Sequence, residues 1–226
     1  MGGVEAIRDQ LNRVRQRRLT VPEAAAVFDT GSMEIRRAVE RGILEASIEQ
    51  HGARRYRLLA ADRVLAWRMA KPLRPEYHEA FSKALFEPKS WHVESDLEFL
   101  SFSSEEKVSA GKYRVNLNEV VGEISERLKA LDDAHAHIET RKGADPFIKG
   151  TEIEAHRIAA LIDGGASIED VLRDFPALTH AKVAAAAAYA KAHPKQGRPF
   201  PSRSAKSAMR AGRGGLRRAF AAADEE

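Results

Sequence analysis

The sequence predicts a mainly helical fold with small β elements. We expect two helix-turn-helix modules, the first of them winged, joined by an α+β middle segment and followed by an extended C-terminal tail. Two pairs of short segments with helical apolar spacing are each interrupted by a turn signal, at 29–31 and at 164–165. An alternating hairpin pattern follows the first pair. Residues 200–226 are rich in Gly, Pro, Ser and Arg, a composition that buries too little apolar surface to fold alone.

The length and composition allow several small domains. A chain of 226 residues with 43% hydrophobic and 31% charged residues is globular as a whole. Cysteine is absent, which excludes disulfides, thiol catalysis and cysteine-based zinc sites. No apolar run approaches the ~20 residues of a membrane helix, and no secretory signal is present, so we expect a cytoplasmic protein without a membrane partner. The predicted segments are 1–71, 72–134, 135–199 and 200–226.

The charge is concentrated at the two ends of the chain. Residues 1–71 carry 14 basic and 9 acidic side chains, and residues 195–226 carry 8 and 3, so each end has a net charge of +5. Residues 72–134 have a net charge of −5. This pattern suggests two polyanionic contacts, or one polyanion and one acidic protein. A soluble surface with uneven charge is the alternative interpretation.

The first helix-turn-helix is predicted from its caps. Thr20 is placed to cap a helix with Glu23 at the capping-box position. A turn follows at Asp29–Gly31, and we expect Ser32 to cap the second helix, which ends at Gly42.

The second helix and the hairpin after it carry the predicted DNA contacts. Helical spacing turns the arginines of Ser32–Arg41 away from the core, and Arg37 and Arg41 lie one turn apart. Two alternating strands flank His51–Gly52, and the returning strand is basic, as in a wing that contacts phosphates or the minor groove. The predicted DNA-binding residues are Ser32, Arg36, Arg37, Arg41, Arg54, Arg55 and Arg57.

Three stretches carry a resemblance to a known class of DNA-binding domain. "LTVPEAAAVF", "IRRAVERGIL" and "ARRYRL" resemble the winged helix-turn-helix of MerR-like and excisionase-like DNA binders, over about residues 19–70. The turn "DTGSM" departs from the usual "GVS" pattern. A small helical domain with surface arginines is the alternative. Upstream, Arg13, Arg15, Arg17 and Arg18 would form either a DNA-contacting arm or a solvated helix face.

The middle segment predicts strands followed by a helix. "SWHVESDLEFLSF" has strand character, and Tyr113–Leu117 is a strand that runs into a helix of about 14 residues. The apolar stripe of this helix serves either packing within the chain or homodimerisation. His135 and His137 alternate as if on a strand, but no further ligands lie at convincing spacing, so we predict no metal and no cofactor.

The C-terminal module again shows caps and breaks. Ile138–Arg141 is predicted as a strand. A helix with Ile158 and Leu161 on its core side ends at Gly164–Gly165, and Ser167 caps the next helix. Thr179 caps a final alanine-rich helix that extends to about residue 192.

This module resembles domain-of-unknown-function family 433. The signature is "PFIKGTEIEAHRIAALIDGGASIEDVLRDFPALT" followed by "VAAAAAYAKAHP", and the resemblance covers about residues 137–199. Glu152 stands where the family usually has arginine, and "GADP" replaces a Gly-Gly-Lys-Pro-like entry. The resemblance implies a small helix-turn-helix domain in an antitoxin paired with a PIN-domain toxin. With the leading winged module, the chain looks like a longer VapB-type antitoxin that represses its own operator as a homodimer or a toxin–antitoxin hetero-oligomer.

The tail is the segment that the resemblance assigns to the toxin. PIN-domain ribonucleases hold a divalent metal with clustered carboxylates, and an inserted arginine would pair bidentately with them. A basic tail that only adds nonspecific DNA affinity is the alternative. The predicted toxin-binding residues are Arg203, Met209, Arg210, Arg213, Leu216, Arg217, Arg218 and Phe220.

Two functions follow, and an enzyme is not expected. The chain is either such an antitoxin or a free-standing transcriptional regulator without a toxin. No nucleophile–base pair, phosphate loop or metal cluster stands out in the sequence, so we predict no catalytic residues.

Overall fold

The protein is mainly helical with small antiparallel strands, as predicted. It separates into two compact units, Met1–Lys129 and Ala130–Glu226. The computed structural model describes residues 2–51, 54–73, 75, 78–86, 91–94, 97–102, 113–141, 145–195, 197, 200–201 and 209.

The N-terminal unit begins with a helix, a short strand and a helix pair, and continues into a hairpin and two further helices. Its first elements are α1 (Gly2–Gln16), β1 (Arg18–Thr20), α2 (Val21–Val27), α3 (Ser32–Glu40), β2 (Ala46–His51), β3 (Arg54–Ala60), α4 (Ala61–Ala70) and α5 (His78–Leu85). The strands β4 (Trp91–Glu94), β5 (Leu97–Phe102) and β6 (Tyr113–Asn116) follow, and then α6 (Leu117–His137), within which the two units divide.

The first sheet has β3 at its centre, with β1 and β2 as antiparallel neighbours. Leu59 pairs with Leu19 on one side and with Ala46 on the other, and its side chain is buried. α1 packs against α4. Its buried residues Ile7, Leu11 and Val14 are spaced four and three residues apart, which places them on one helix face. The predicted hairpin is thus confirmed, and it is anchored to the core at the end near α4.

The capping box at the start of α2 is confirmed. The Thr20 hydroxyl accepts a hydrogen bond from the Glu23 backbone N–H, and a Glu23 carboxylate oxygen accepts one from the Thr20 N–H at 2.7 Å. The predicted cap of α3 is wrong. Gly31 occupies the N-cap position and Ser32 is the first helical residue, so its side chain makes no cap hydrogen bond.

α6 is longer than predicted. It spans 21 residues instead of about 14, because no Gly or Pro interrupts the sequence between Gly122 and Gly143. Its apolar stripe, which includes Val121 and Ile124, is buried within the chain. His135 and His137 therefore belong to the last turn of a helix, and the interpretation of an alternating strand is wrong.

The C-terminal unit has two short strands and three helices around one core. They are β7 (Ile138–Glu139), β8 (Phe147–Ile148), α7 (Ala155–Asp163), α8 (Ile168–Asp174) and α9 (His180–Ala192). β7 is shorter than the predicted Ile138–Arg141. The apolar core combines Ala134 and Ile148 with residues of all three helices: Ala155, Ile158, Leu161, Val171, Val183, Ala186 and Tyr189.

The predicted caps of the C-terminal helices are confirmed. The Ser167 hydroxyl accepts a hydrogen bond from the Asp170 N–H at 3.1 Å, and the Thr179 hydroxyl accepts one from the Lys182 N–H at 3.3 Å. α7 ends as expected at Gly164–Gly165, where Gly165 has a φ of +86°. Among the described helices, none combines the length and the apolar character needed to cross a bilayer.

Candidate nucleic-acid interface

α3 is held in place by its inner face and by the turn that precedes it. Ile35 and Ala38 are buried beneath the helix. In the turn, Asp29 takes a left-handed φ of +48°, and the Thr30 N–H donates to the Ala25 carbonyl at 3.1 Å, which satisfies a carbonyl at the end of α2. The same device ends α3, where Gly42 has a φ of +71°. α3 is therefore a short helix with fixed ends and a free outer face.

The outer face of α3 carries cations without partners. Arg36, Arg37 and Arg41 are exposed. Within the described part of the chain, none of their guanidiniums makes a hydrogen bond, an ion pair or a ring contact. The exposed Met33 lies on the same outer face, as does Glu40 one turn after Arg36. The outer face thus offers three cations, one carboxylate and one large apolar side chain.

A second carboxylate of α3 is paired with Lys71, the C-cap of α4. The Glu34 carboxylate lies 2.7 Å from the Lys71 ammonium and also accepts a hydrogen bond from the Thr30 hydroxyl at 2.9 Å. The hydrogen bond from Lys71 is the main cause that holds the pKa of Glu34 below its ordinary value. Lys71 in turn lies over the Trp67 ring, 4.4 Å from its centroid. The Lys71–Glu34 ion pair therefore holds the start of α3 and offsets the negative charge of the Glu34 carboxylate.

The hairpin carries two further exposed arginines on β3. Arg55 and Arg57 are exposed, and their two-residue spacing places them on the same face of β3 as the buried Leu59. Arg57 pairs with Ile48 of β2, whose side chain is 66% exposed. Like the arginines of α3, Arg55 and Arg57 have no side-chain partner among the described residues.

An open groove of about 590 Å³ connects the hairpin with α3. Its lining includes Val39 and Glu40 of α3, and Ile48 and Arg57 of the hairpin. The structure therefore brings Arg57 to the C-terminal end of α3.

The structure also gives the positions of Ser32 and Arg54, the other two predicted DNA-binding residues, and of the arginines of α1. Ser32 is half-buried and begins α3. Arg54 is the first residue of β3 and pairs with His51, and its side chain lies outside the described part. Arg13 and Arg15 lie on the exposed side of α1, and Arg15 packs over the Phe86 ring at 5.9 Å. Arg18 is exposed and Arg17 is half-buried, so the DNA-contacting arm and the solvated helix face both stay predictions.

Only Met209 of the predicted toxin-binding residues is described, and it is exposed. The other predicted tail contacts fall outside the described residues: Arg203, Arg210, Arg213, Leu216, Arg217, Arg218 and Phe220.

Two groups of contacts could not be found from sequence spacing. The first is the set of contacts that Lys71 makes with Glu34 and with Thr30, which lies 41 positions before it in the sequence. The second is a histidine cluster of the C-terminal unit, in which His135 meets His193 across 58 positions. Neither has a local motif, because both depend on how helices pack.

The comparisons with known proteins concern the C-terminal unit. Residues 139–190 match the model of a family described as "Protein of unknown function (DUF433)". This match confirms the predicted identity of the C-terminal domain and covers less than a quarter of the chain. No curated protein and no solved structure matches the sequence.

Proposed function

We propose that this chain is the antitoxin of a type II toxin–antitoxin pair. It binds duplex operator DNA through a winged helix-turn-helix in its N-terminal unit and neutralises a PIN-domain ribonuclease through its C-terminal tail. α2 and α3 form the helix-turn-helix, with α3 as the recognition helix, and the β2–β3 hairpin is the wing. The activity requires binding alone, without a catalytic residue or a cofactor.

The observation that carries the proposal is the set of unpartnered arginines on α3 and β3. Arg36, Arg37, Arg41, Arg55 and Arg57 are exposed and have no partner in the described part of the chain. Cations of this kind can neutralise phosphates and release their counterions without first breaking an internal ion pair. Arginine also reads guanine through a bidentate hydrogen bond in the major groove.

The dimensions of α3 and the hairpin fit a DNA duplex. An α-helix with its side chains is about 10–12 Å in diameter, and the major groove is about 12 Å wide. On the outer face, Met33 suits an apolar contact with a thymine methyl group, and Glu40 suits the amino group of cytosine. Arg55 and Arg57 on the wing suit phosphates or the adjacent minor groove.

The antitoxin part of the proposal is supported by the resemblance and by the charge of the tail. Residues 195–226 have 8 basic and 3 acidic side chains, which suits the carboxylate cluster of a PIN-domain active site. A free-standing regulator would use the same DNA surface but would have no protein partner for this tail.

DNA binding is tested with a labelled duplex taken from directly upstream of the coding sequence. A duplex with the same bases in scrambled order is the control, and fluorescence polarisation is measured over a range of salt concentrations. We expect at least a tenfold preference for the upstream duplex and a linear fall of log K with log salt. Equal affinity for both duplexes would contradict operator recognition.

Toxin binding is tested by co-expression with the adjacent gene. We expect a PIN-domain protein to copurify with the chain and to lose its ribonuclease activity in the complex. If the chain purifies alone but still prefers the upstream duplex, the free-standing regulator is the correct function.

A further inference from the structure

A cluster of three histidines and one tyrosine lies in the C-terminal unit. His135 is in the last turn of α6, and His193 is the C-cap of α9. Their Nε2 atoms lie 2.9 Å apart. Tyr189 and His156 pack beside them, and both are nearly fully buried.

The separation of the two Nε2 atoms suits ligands that share a metal ion. At a typical metal–nitrogen distance of about 2.0–2.1 Å, two nitrogens 2.9 Å apart subtend an angle of about 90° at the ion. This is the angle between neighbouring ligands in square-planar and octahedral sites, the geometries of Cu²⁺ and Ni²⁺. Tetrahedral Zn²⁺ would require the nitrogens to separate by only about 0.4 Å more.

We propose that His135 and His193 chelate a divalent transition-metal ion through their Nε2 atoms. Imidazole is a preferred ligand of Cu²⁺, Ni²⁺ and Zn²⁺. His135 is exposed and His193 is half-buried, so an ion can enter from solvent and keep water at its other positions. The proposal concerns a different unit from the DNA-binding surface and does not depend on the proposed function.

The surrounding side chains hold the two rings in this arrangement. The Tyr189 ring lies 4.4 Å from the His193 ring and 6.3 Å from the His135 ring, between ring centroids. His156 donates its Nε2–H to the His193 backbone carbonyl at 2.7 Å, since that carbonyl oxygen can only accept. Ligands that are already oriented by their neighbours bind a metal with less loss of side-chain entropy.

His156 is a positioning residue and not a ligand. Its Nε2 is committed to the His193 carbonyl, and its Nδ1 is buried without a hydrogen-bond partner among the described residues. A buried nitrogen without a partner is unfavourable for folding. The hydrogen bond to the His193 carbonyl and the edge-on contact with the Tyr189 ring, 6.0 Å between centroids, hold the His156 ring in place.

The position of the two ligands gives the ion a structural role. His135 and His193 are 58 residues apart and bracket the segment 139–190 that matches the family model. A bound ion would connect the end of α6 to the end of α9 and so join the two boundaries of this domain. Binding to the folded state alone raises its stability by mass action.

The test is metal titration of the full chain after its affinity tag has been removed and its metals have been stripped with a chelator. Isothermal titration calorimetry with NiCl₂, CuCl₂ and ZnCl₂ should give one ion per chain, with a Kd of about 10 μM or tighter for at least one metal. His135→Asn and His193→Asn should each weaken that binding at least tenfold. His180→Asn is the matched control, because His180 is an exposed histidine at the other end of α9.

Two further readouts identify the ligands directly. Cu²⁺ added at one equivalent should show electron paramagnetic resonance couplings from two nitrogens in the wild type and from one in His135→Asn. The ion should also raise the Tm of the wild type and of His180→Asn, but not that of His135→Asn. His135 is exposed, so this variant decides the question even if His193→Asn fails to fold. Absence of binding, or equal binding by His135→Asn and wild type, would overturn the proposal.

Discussion

The helix pairs α2–α3 and α7–α8 have similar backbones. In each pair the first helix ends at a left-handed residue, Asp29 in one and Gly165 in the other. The next N–H then reaches back to a carbonyl of the last turn, from Thr30 at 3.1 Å and from Ala166 at 3.0 Å. The second helix begins within two to three residues of this point. Local backbone chemistry therefore does not distinguish the two pairs.

Their surfaces differ in charge. α3 and its C-cap carry three unpartnered arginines, and one of their two glutamates is tied to Lys71. α8 carries three acidic residues and a single arginine, Arg173, which is paired with Asp170 at 2.9 Å. A polyanion is attracted to the first surface and repelled by the second.

The other arginines between positions 130 and 195 also have partners. Arg141 pairs with Glu139 at 3.1 Å, and Arg157 lies over the Phe175 ring at 5.5 Å. A candidate DNA surface is therefore recognised by arginines whose side chains have no partner within the protein. The number of arginines and the presence of a helix pair do not distinguish it from a structural surface.

The largest expected effect tests the division of labour between the folded units and the tail. Deleting residues 200–226 should abolish neutralisation of the toxin, since the predicted anchors and arginine forks all lie there. Binding to the upstream duplex should remain largely intact. Pull-down and ribonuclease assays measure the first property, and polarisation measures the second. Equal loss of both would contradict the division.

The next effect tests whether the unpartnered arginines of the α3 surface contribute more to DNA affinity than arginines that already have partners. Arg37→Ala with Arg41→Ala should weaken binding to the upstream duplex by roughly tenfold or more, because each lost base contact costs about 1–3 kcal/mol. If both side chains contact phosphates, the salt slope should fall by about 2.

Arg141→Ala with Arg173→Ala is the matched control for this experiment. It removes the same charge from the C-terminal unit, where both arginines are already paired. We expect an affinity within about twofold of wild type. A loss equal to that of the α3 variant would show that net charge alone governs binding.

Most of the helix caps could be predicted from the sequence, and one could not. The caps at Thr20, Ser167 and Thr179 were predictable because each involves residues three positions apart. Ser32 misled the prediction because Gly31, which also favours the N-cap, directly precedes it. Local rules cannot choose between two adjacent cap residues.

The contacts that define the candidate sites were less predictable. The exposed arginines of α3 followed from helical spacing, but whether each had a partner depended on packing. Lys71 reaches Glu34 from another helix, and His193 reaches His135 across 58 positions. No periodicity encodes such pairs, so they required the structure.

A smaller effect compares the caps of the two units. Thr20→Val should lower the free energy of unfolding by about 1–2 kcal/mol, because the hydroxyl both accepts from the Glu23 N–H and donates to its carboxylate at 2.8 Å. Thr179→Val should cost about 0.5–1 kcal/mol, since its hydroxyl caps a single N–H. Urea unfolding measures both variants. A larger loss for Thr179→Val would contradict the reciprocal box as the stronger cap.

The smallest effect concerns the charge that Lys71 neutralises on α3. Because the pKa of Glu34 is lowered in the folded state, its contribution is present above the unfolded pKa of about 4.5 and is lost as pH falls through the folded pKa. Both side chains are partly exposed, so the contribution is roughly a few tenths of a kcal/mol.

Glu34→Gln should therefore be slightly less stable than wild type at neutral pH, and the difference should vanish as the pH falls through the folded pKa of Glu34. Glu40→Gln removes a carboxylate from the same helix that has no partner in the described part of the chain. It should match wild type at neutral pH. Denaturant midpoints over this pH range measure both variants, and a difference that persists at low pH would exclude the ion pair as its cause.

The most direct test of the central claim is hydrogen–deuterium exchange of the full chain with and without the upstream duplex. The claim is that DNA lies on the unpartnered arginines of the N-terminal unit. Protection should then appear in peptides that cover Ser32–Arg41 and Arg54–Arg57, and should be absent over α8 and α9. Protection confined to α8 and α9, with α3 and the hairpin unchanged, would contradict the account.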